Sequence, residues 1–149
     1  MIKYLLLLFL FFSSPANIFS FKALGAETKE SFFERGNKNI NNKKYSDALD
    51  DFNSYIKSNP NNWRAYHNRA ISKEYLGDFL GAISDYSKAI ELNPNPWEKS
   101  FFWRGYLHEI NENYQQAISD YSSAIKINPE YENPYFYRAY LKYLLEDYE

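Results

Sequence analysis

The sequence predicts an all-α solenoid of antiparallel helix hairpins, and three observations carry that prediction. Gly77 to Pro94 reads as one amphipathic helix, with Phe79, Ala82, Ile83, Tyr86, Ala89 and Ile90 three and four residues apart between a Gly-Asp turn signal and a proline breaker. The same pattern occurs from Tyr45 to Pro60 and again from Tyr114 to Pro129. The closing prolines, Pro60, Pro94 and Pro129, recur at a period in the range that marks stacked helical hairpins. About three and a half repeats follow, over residues 29–62, 63–97, 98–131 and a partial 132–149.

Each repeat is expected to hold a helix A and a helix B. The first A helix spans about Lys29–Asn41, and its B helix runs from Tyr45 to about Ser58, where Asn59-Pro60 stops it. The second A helix starts near Trp63 with Asn62 as N-cap. Gly77 suits the left-handed position that ends it, and Asp78 is placed to cap the next helix. Asn93-Pro94-Asn95-Pro96 contains a one-residue insertion, after which the third A helix covers roughly Trp97 to Ile110. Asn113 stands where Asp78 stood and is expected to cap the third B helix, whereas Lys44 cannot accept the amide bond. Glu132 to Leu145 restarts helix A, and Glu146-Asp147-Tyr148 matches Gly77-Asp78-Phe79 with Asp147 in the cap position.

These residues resemble the tetratricopeptide (TPR) family. Its signature is a bulky residue, a small residue four later, an aromatic opening helix B, then Ala, aromatic, Ala and Pro. The second repeat has Tyr66, Ala70, Phe79, Ala82, Tyr86, Ala89 and Pro94; the third has Phe101, Gly105, Tyr114, Ala117, Tyr121, Ala124 and Pro129. The first has Phe32, Gly36, Tyr45, Ala48, Phe52 and Pro60 with Tyr55 in place of the second Ala, and the fourth has Tyr135, Ala139 and Tyr148. The resemblance implies a right-handed superhelix and a non-enzymatic, protein-binding scaffold whose A helices line a concave groove. The spacing has its own physical reason: small residues on A and B let the helices approach, and the large aromatics fill the space between hairpins.

One feature departs from the family pattern. Arg35, Arg69, Arg104 and Arg138 stand where Leu is usual, and the first three are followed sixteen residues later by Asp51, Asp85 and Asp120. A repeated Arg–Asp ion pair between helices A and B is expected, within a hairpin or across to the next.

By register, the groove-facing candidates are Arg64, His67 and Asn68 in the second repeat, Phe102, Trp103 and Tyr106 in the third, and Phe136, Tyr137 and Tyr140 in the fourth. Trp and Tyr favour such a role, since they offer large contact area at low entropic cost. Trp103→Ala is expected to weaken partner binding with melting nearly unchanged. Members of the family that bind Hsp70 and Hsp90 tails use a Lys/Asn/Arg clamp. Asn68 and Arg64 stand at two such places, but Phe33 and Glu34, and Phe102 and Trp103, replace the remaining residues, so a hydrophobic or aromatic protein or peptide partner is expected. Self-association through the incomplete fourth repeat is the alternative, with Tyr135, Ala139 and Leu145 left uncovered, and RNA binding by a related helical repeat is the less favoured one.

No catalytic, metal or cofactor constellation stands out. His67 and His108 lie in different repeats without ligand spacing, there is no Gly-rich phosphate loop, and there is no cysteine for a thiolate site or a disulfide. Met1 to Lys3, the apolar run Tyr4 to Phe12 and the small residues Ala23-Leu24-Gly25 follow the grammar of a signal peptide over residues 1–25, cut ahead of Ala26 or earlier after Ser14-Pro15-Ala16. Export to a periplasmic, secreted or lumenal compartment is expected, with an uncleaved membrane anchor as the alternative. The formal net charge is −2, and loss of residues 1–25, which carry Lys3 and Lys22 and no acid, takes it to −4. Such a charge lacks the basic footprint of a nucleic-acid binder.

Overall fold

The computed structural model of this 149-residue chain describes residues 32–145. The N-terminal apolar run, the start of the first helix and Glu146-Asp147-Tyr148 lie outside the described residues. Within them are seven helices and no strand: α1 (32–41), α2 (Tyr45–Ser58), α3 (Trp63–Tyr75), α4 (Phe79–Leu92), α5 (Glu98–Ile110), α6 (Tyr114–Ile127) and α7 (Glu132–Leu144). The odd-numbered helices are the A helices and the even-numbered ones the B helices. None is long and apolar enough to cross a membrane.

The A-to-B turns share one backbone solution. In the second repeat the Gly77 amide donates to the Glu74 carbonyl at 3.0 Å and the Asp78 amide to the Lys73 carbonyl at 2.9 Å, with Gly77 left-handed at φ 83°. This is the Schellman arrangement. The first and third turns repeat it, Lys43 and Lys44 bonding back to Ile40 and Asn39, and Glu112 and Asn113 to Glu109 and His108. There the left-handed residue is Lys43 or Glu112, each at φ 59°, a conformation that costs a Cβ-bearing residue about 1–2 kcal/mol. Asp78 caps α4 by accepting from the Gly81 amide at 3.0 Å, and Asn62 caps α3 by accepting from the amides of Arg64 and Ala65. The expected Asn113 cap does not form: α6 starts without a side-chain cap, as α2 does after Lys44. Asn113 has the right chemistry and the right backbone, with φ and ψ close to those of Asp78, but its side chain is not turned onto the helix.

Between the helices the small residues do what their size allows. Ala48, Ala82 and Ala117 are fully buried, and Phe52, Tyr86 and Tyr121 lie beside them with no exposed surface. A Cβ added at Gly36 would stand 2.8 Å from the Phe52 ring, and one at Gly105 would stand 3.0 Å from that of Tyr121. The hydroxyls of Tyr86 and Tyr121 need acceptors in this dry setting, and each finds a glutamate on the A helix of its own hairpin, Glu74 at 3.2 Å and Glu109 at 2.7 Å. The first repeat has Phe52, with no hydroxyl, and Ile40 at the glutamate's place. The two positions change together because a buried carboxylate without a donor is costly.

The Arg–Asp pairs form within hairpins. Arg69 reaches Asp85 through Nε and Nη2 at 2.8 and 2.6 Å, Arg104 reaches Asp120 at 2.9 and 2.6 Å, and Arg35 holds Asp51 through the same two nitrogens. The three aspartates are buried. In the second, third and fourth repeats the arginine also reaches back to the preceding B helix: Nη1 of Arg69 to Asn53, of Arg104 to Ser87 and of Arg138 to Ser122, at 2.9, 3.0 and 3.3 Å. Each guanidinium also lies over the ring three residues earlier, 4.9 Å above Phe32 for Arg35 and 5.3 Å above Tyr66 for Arg69. Arg69 and Arg104 therefore each fix three helices, which explains why a planar five-donor side chain occupies a place where an aliphatic one would suffice for packing.

Candidate functional site

The A helices present one face away from their B helices, and the nine candidate residues divide on it by register. Phe33, His67, Phe102 and Phe136 occupy equivalent places. Phe33 packs 5.9 Å from Phe52, His67 5.1 Å from Tyr86, and Phe102 5.8 Å from Tyr121. His67 is 4% and Phe102 3% exposed, because the next hairpin closes over each of them. Phe102 therefore serves as packing rather than as an open contact residue, which the register alone did not show, and His67 keeps only the edge that lines a pocket. Phe136, in the same place on α7, is 73% exposed.

His67 shows how the interior of this face is wired. Its Nδ1 lies 2.9 Å from the Ser100 hydroxyl on the next A helix, and its ring sits 4.7 Å from Trp97. Burial, reinforced by the nearby Lys99 ammonium, pushes its pKa down to about 4, so the imidazole is neutral. Asn68 donates to Asn37 on the preceding A helix at 2.7 Å. Arg64 is exposed, its guanidinium 4.6 Å above the Trp63 ring. Arg64, His67 and Asn68 line a pocket of about 540 Å3 together with Trp63, Trp97 and the Asn93–Pro96 loop. The two tryptophans and the loop escaped the sequence reading, although Trp63 and Trp97 flank the A-helix starts of successive repeats and the loop carries the inserted residue.

The third and fourth repeats hold the aromatic part. Trp103, Tyr106 and Tyr137 are half-buried, and Tyr140 is 50% exposed. Trp103 meets Tyr106 edge-on at 6.0 Å, Tyr106 meets Tyr137 at 6.0 Å, and Tyr137 meets Phe136 at 5.7 Å. The rings form a connected set across α5 and α7 in edge-to-face contact. Trp103 also packs against the buried clusters on both sides of it, one around Tyr86 and Leu107 and the other around Phe102 and Tyr121. The expectation that its truncation would leave melting nearly unchanged therefore gives way to a sizeable loss of stability. On α7, Tyr135 and Ala139 are exposed along with Tyr143 and Leu144, and so is Leu145 at its C-cap.

Among the described residues no three His, Asp or Glu side chains are gathered to hold a metal ion. His108, on the inward stripe, packs beside Asp120 with Nε2 at 3.9 Å, and burial lowers its pKa.

Residues 63–96 and 98–131 each match a family model described as tetratricopeptide repeat. Solved structures with a similar fold include the TPR domain of Arabidopsis OM64, 26% identical over 78% of this chain and 96% of that one with a TM-score of 0.74. The first TPR of Spaghetti (RPAP3), bound to the HSP90 peptide SRMEEVD, is 24% identical over 80% and 94% with a TM-score of 0.75. MamA is 18% identical over 85% and 74% with a TM-score of 0.78. No curated protein matches the chain.

Proposed function

This chain belongs to the tetratricopeptide repeat family, and from that premise we propose that it is a non-enzymatic scaffold capturing a peptide or helical segment of a protein partner on its A-helix face. The observation that carries the reading is the aromatic set Trp103, Tyr106, Tyr137, Phe136 and Tyr140, which runs from half-buried to exposed along α5 and α7. Half-buried rings are held rigid by their inner neighbours and leave a face for a partner, the condition under which aromatic residues become binding hot spots. Peptide capture in this fold has support from the HSP90 peptide held by the first TPR of Spaghetti. The partner chemistry differs here: Phe33, Glu34, Phe102 and Trp103 stand where a carboxylate clamp would need basic or amide side chains, so the segment is apolar or aromatic. Export of the mature chain, guided by residues 1–25, completes the reading and puts the partner in the same compartment.

Phe136→Ala and Tyr140→Ala test this separately from folding. Both side chains are largely outside the packed interior, so melting should move by little while affinity for segments selected from a displayed peptide library falls about tenfold. Unchanged affinity in both variants contradicts the assignment of the face.

A further inference from the structure

A second pocket, of about 290 Å3, opens between the first three repeats, and its lining differs in chemistry from the aromatic set on α5 and α7. Tyr45, Tyr75 and Trp103 supply rings, Tyr45 and Tyr75 lying parallel with centroids 4.2 Å apart. Glu74 is the one carboxylate in the lining and Lys43 the one cation. The Tyr86 hydroxyl donates to Glu74 Oε2 at 3.2 Å; Oε1 makes no hydrogen bond among the described residues, and it is not sealed from solvent. Burial raises the Glu74 pKa above the ordinary carboxylate value. Lys43 makes no ion pair with Glu74 within 4.0 Å.

The pairing of Glu74 with Tyr86 recurs as Glu109 with Tyr121, so by itself it is a packing device. One ring sets the first copy apart: Ile110 stands at the place of Tyr75 in the next repeat, while Phe79 and Tyr137 keep rings at the places of Tyr45 and Trp103, so the Tyr45–Tyr75 stack has no counterpart there. A carboxylate with a free oxygen, half-desolvated and walled by aromatic rings, is the complement of a cation: the carboxylate attracts it, and the outer ring face left by the Tyr45–Tyr75 stack adds a quadrupole attraction. The geometry points to a cation-accepting subsite in which Glu74, Tyr45, Tyr75 and Trp103 take a lysine or arginine side chain of the captured segment. This rests on the peptide-capture reading above, and it adds a basic residue to the apolar character of the partner. Lys43 lines the same pocket, so its like charge opposes a bound cation.

The test has two arms, both on the full chain. In the first, Nα-acetyl-lysine methylamide and Nα-acetyl-norleucine methylamide, which keeps the aliphatic stem without the ammonium, are titrated at constant ionic strength while the Trp103 indole N–H resonance is followed. The lysine compound should give a saturable shift and the norleucine compound none. Glu74→Gln, which keeps an acceptor for Tyr86, should weaken the response about fivefold, and Lys43→Gly should strengthen it. No shift with the lysine compound, equal shifts with both compounds, or an unchanged response in Glu74→Gln overturns the subsite. In the second arm, displayed peptides selected by the wild-type chain should carry Lys or Arg at one fixed position, and Glu74→Gln should still select peptides but lose that preference. Selected peptides with no basic position overturn the subsite and leave capture standing. If no peptides are selected, capture fails, and the first arm still decides the subsite.

Discussion

Asp85 is a buried carboxylate surrounded by donors, with Lys73 Nζ at 2.8 Å in addition to the two bonds from Arg69. Removing it strands two cations, so Asp85→Ala should cost about 3–5 kcal/mol in urea unfolding. A double-mutant cycle with Arg69→Ala should show coupling above about 1 kcal/mol. The same cycle on Arg35 and Asp51 should give less, because the Arg35 side chain is 56% exposed and water screens its charge. His67 sets a pH dependence of its own. The folded imidazole has a pKa of about 4 and the unfolded one about 6.5, so the unfolded chain takes up the proton first as pH falls. The contribution is fully present above about pH 6.5, falls between there and pH 4, and amounts to roughly 3 kcal/mol when lost. His67→Phe, which installs the residue found at the same register in the neighbouring repeats, should flatten this part of the stability profile. The Arg–Asp spacing was legible in the sequence because it recurs in register. The contacts to the preceding B helix were not, since Asn53, Ser87 and Ser122 are ordinary polar residues of a B helix until the preceding hairpin is laid against Arg69, Arg104 and Arg138.

At the scale of elements, the helices follow their breakers and turn residues. The α2 limits match the expected Tyr45–Ser58, and α3 starts at Trp63 behind its Asn62 cap. The turns were legible as turns and not as energies. Gly77 in the second repeat hides the fact that Lys43 and Glu112 take the same left-handed conformation at a cost. Asn113, chemically able to cap, shows that a cap residue in the right place does not guarantee the bond. Writing the second turn into the first, as Lys43→Gly with Lys44→Asp, should therefore raise stability by about 1–2 kcal/mol, read as an upward shift in Tm of several degrees. No gain would mean that flexibility added to the unfolded chain at residue 43 offsets the relief of the left-handed residue.

Over the whole molecule, stability is a sum of hairpins and the interfaces between them, and the face that carries the proposed function is built from the same interfaces. That is why the sequence reading of the face was only partly successful. Periodicity shows which residues turn away from helix B. It does not show how far the next A helix covers them, so His67 and Phe102 were assigned to the groove although little of either is exposed, while the pocket around Trp63 and Trp97, made by adjacent repeats and the Asn93–Pro96 loop, went unseen. Trp103 lies at the boundary, packed on its inner side and lining the Glu74 pocket. Trp103→Ala should consequently cost about 2–4 kcal/mol in addition to weakening binding. The most direct test of the central claim is an amide chemical-shift map of the full chain titrated with a library-selected peptide. Perturbations should concentrate on the exposed faces of α5 and α7 and extend to α3, with outward residues of the B helices such as Ser84 and Gln115 unmoved. A map centred on α2, α4 and α6, with Tyr106 and Tyr140 unperturbed, would contradict that claim.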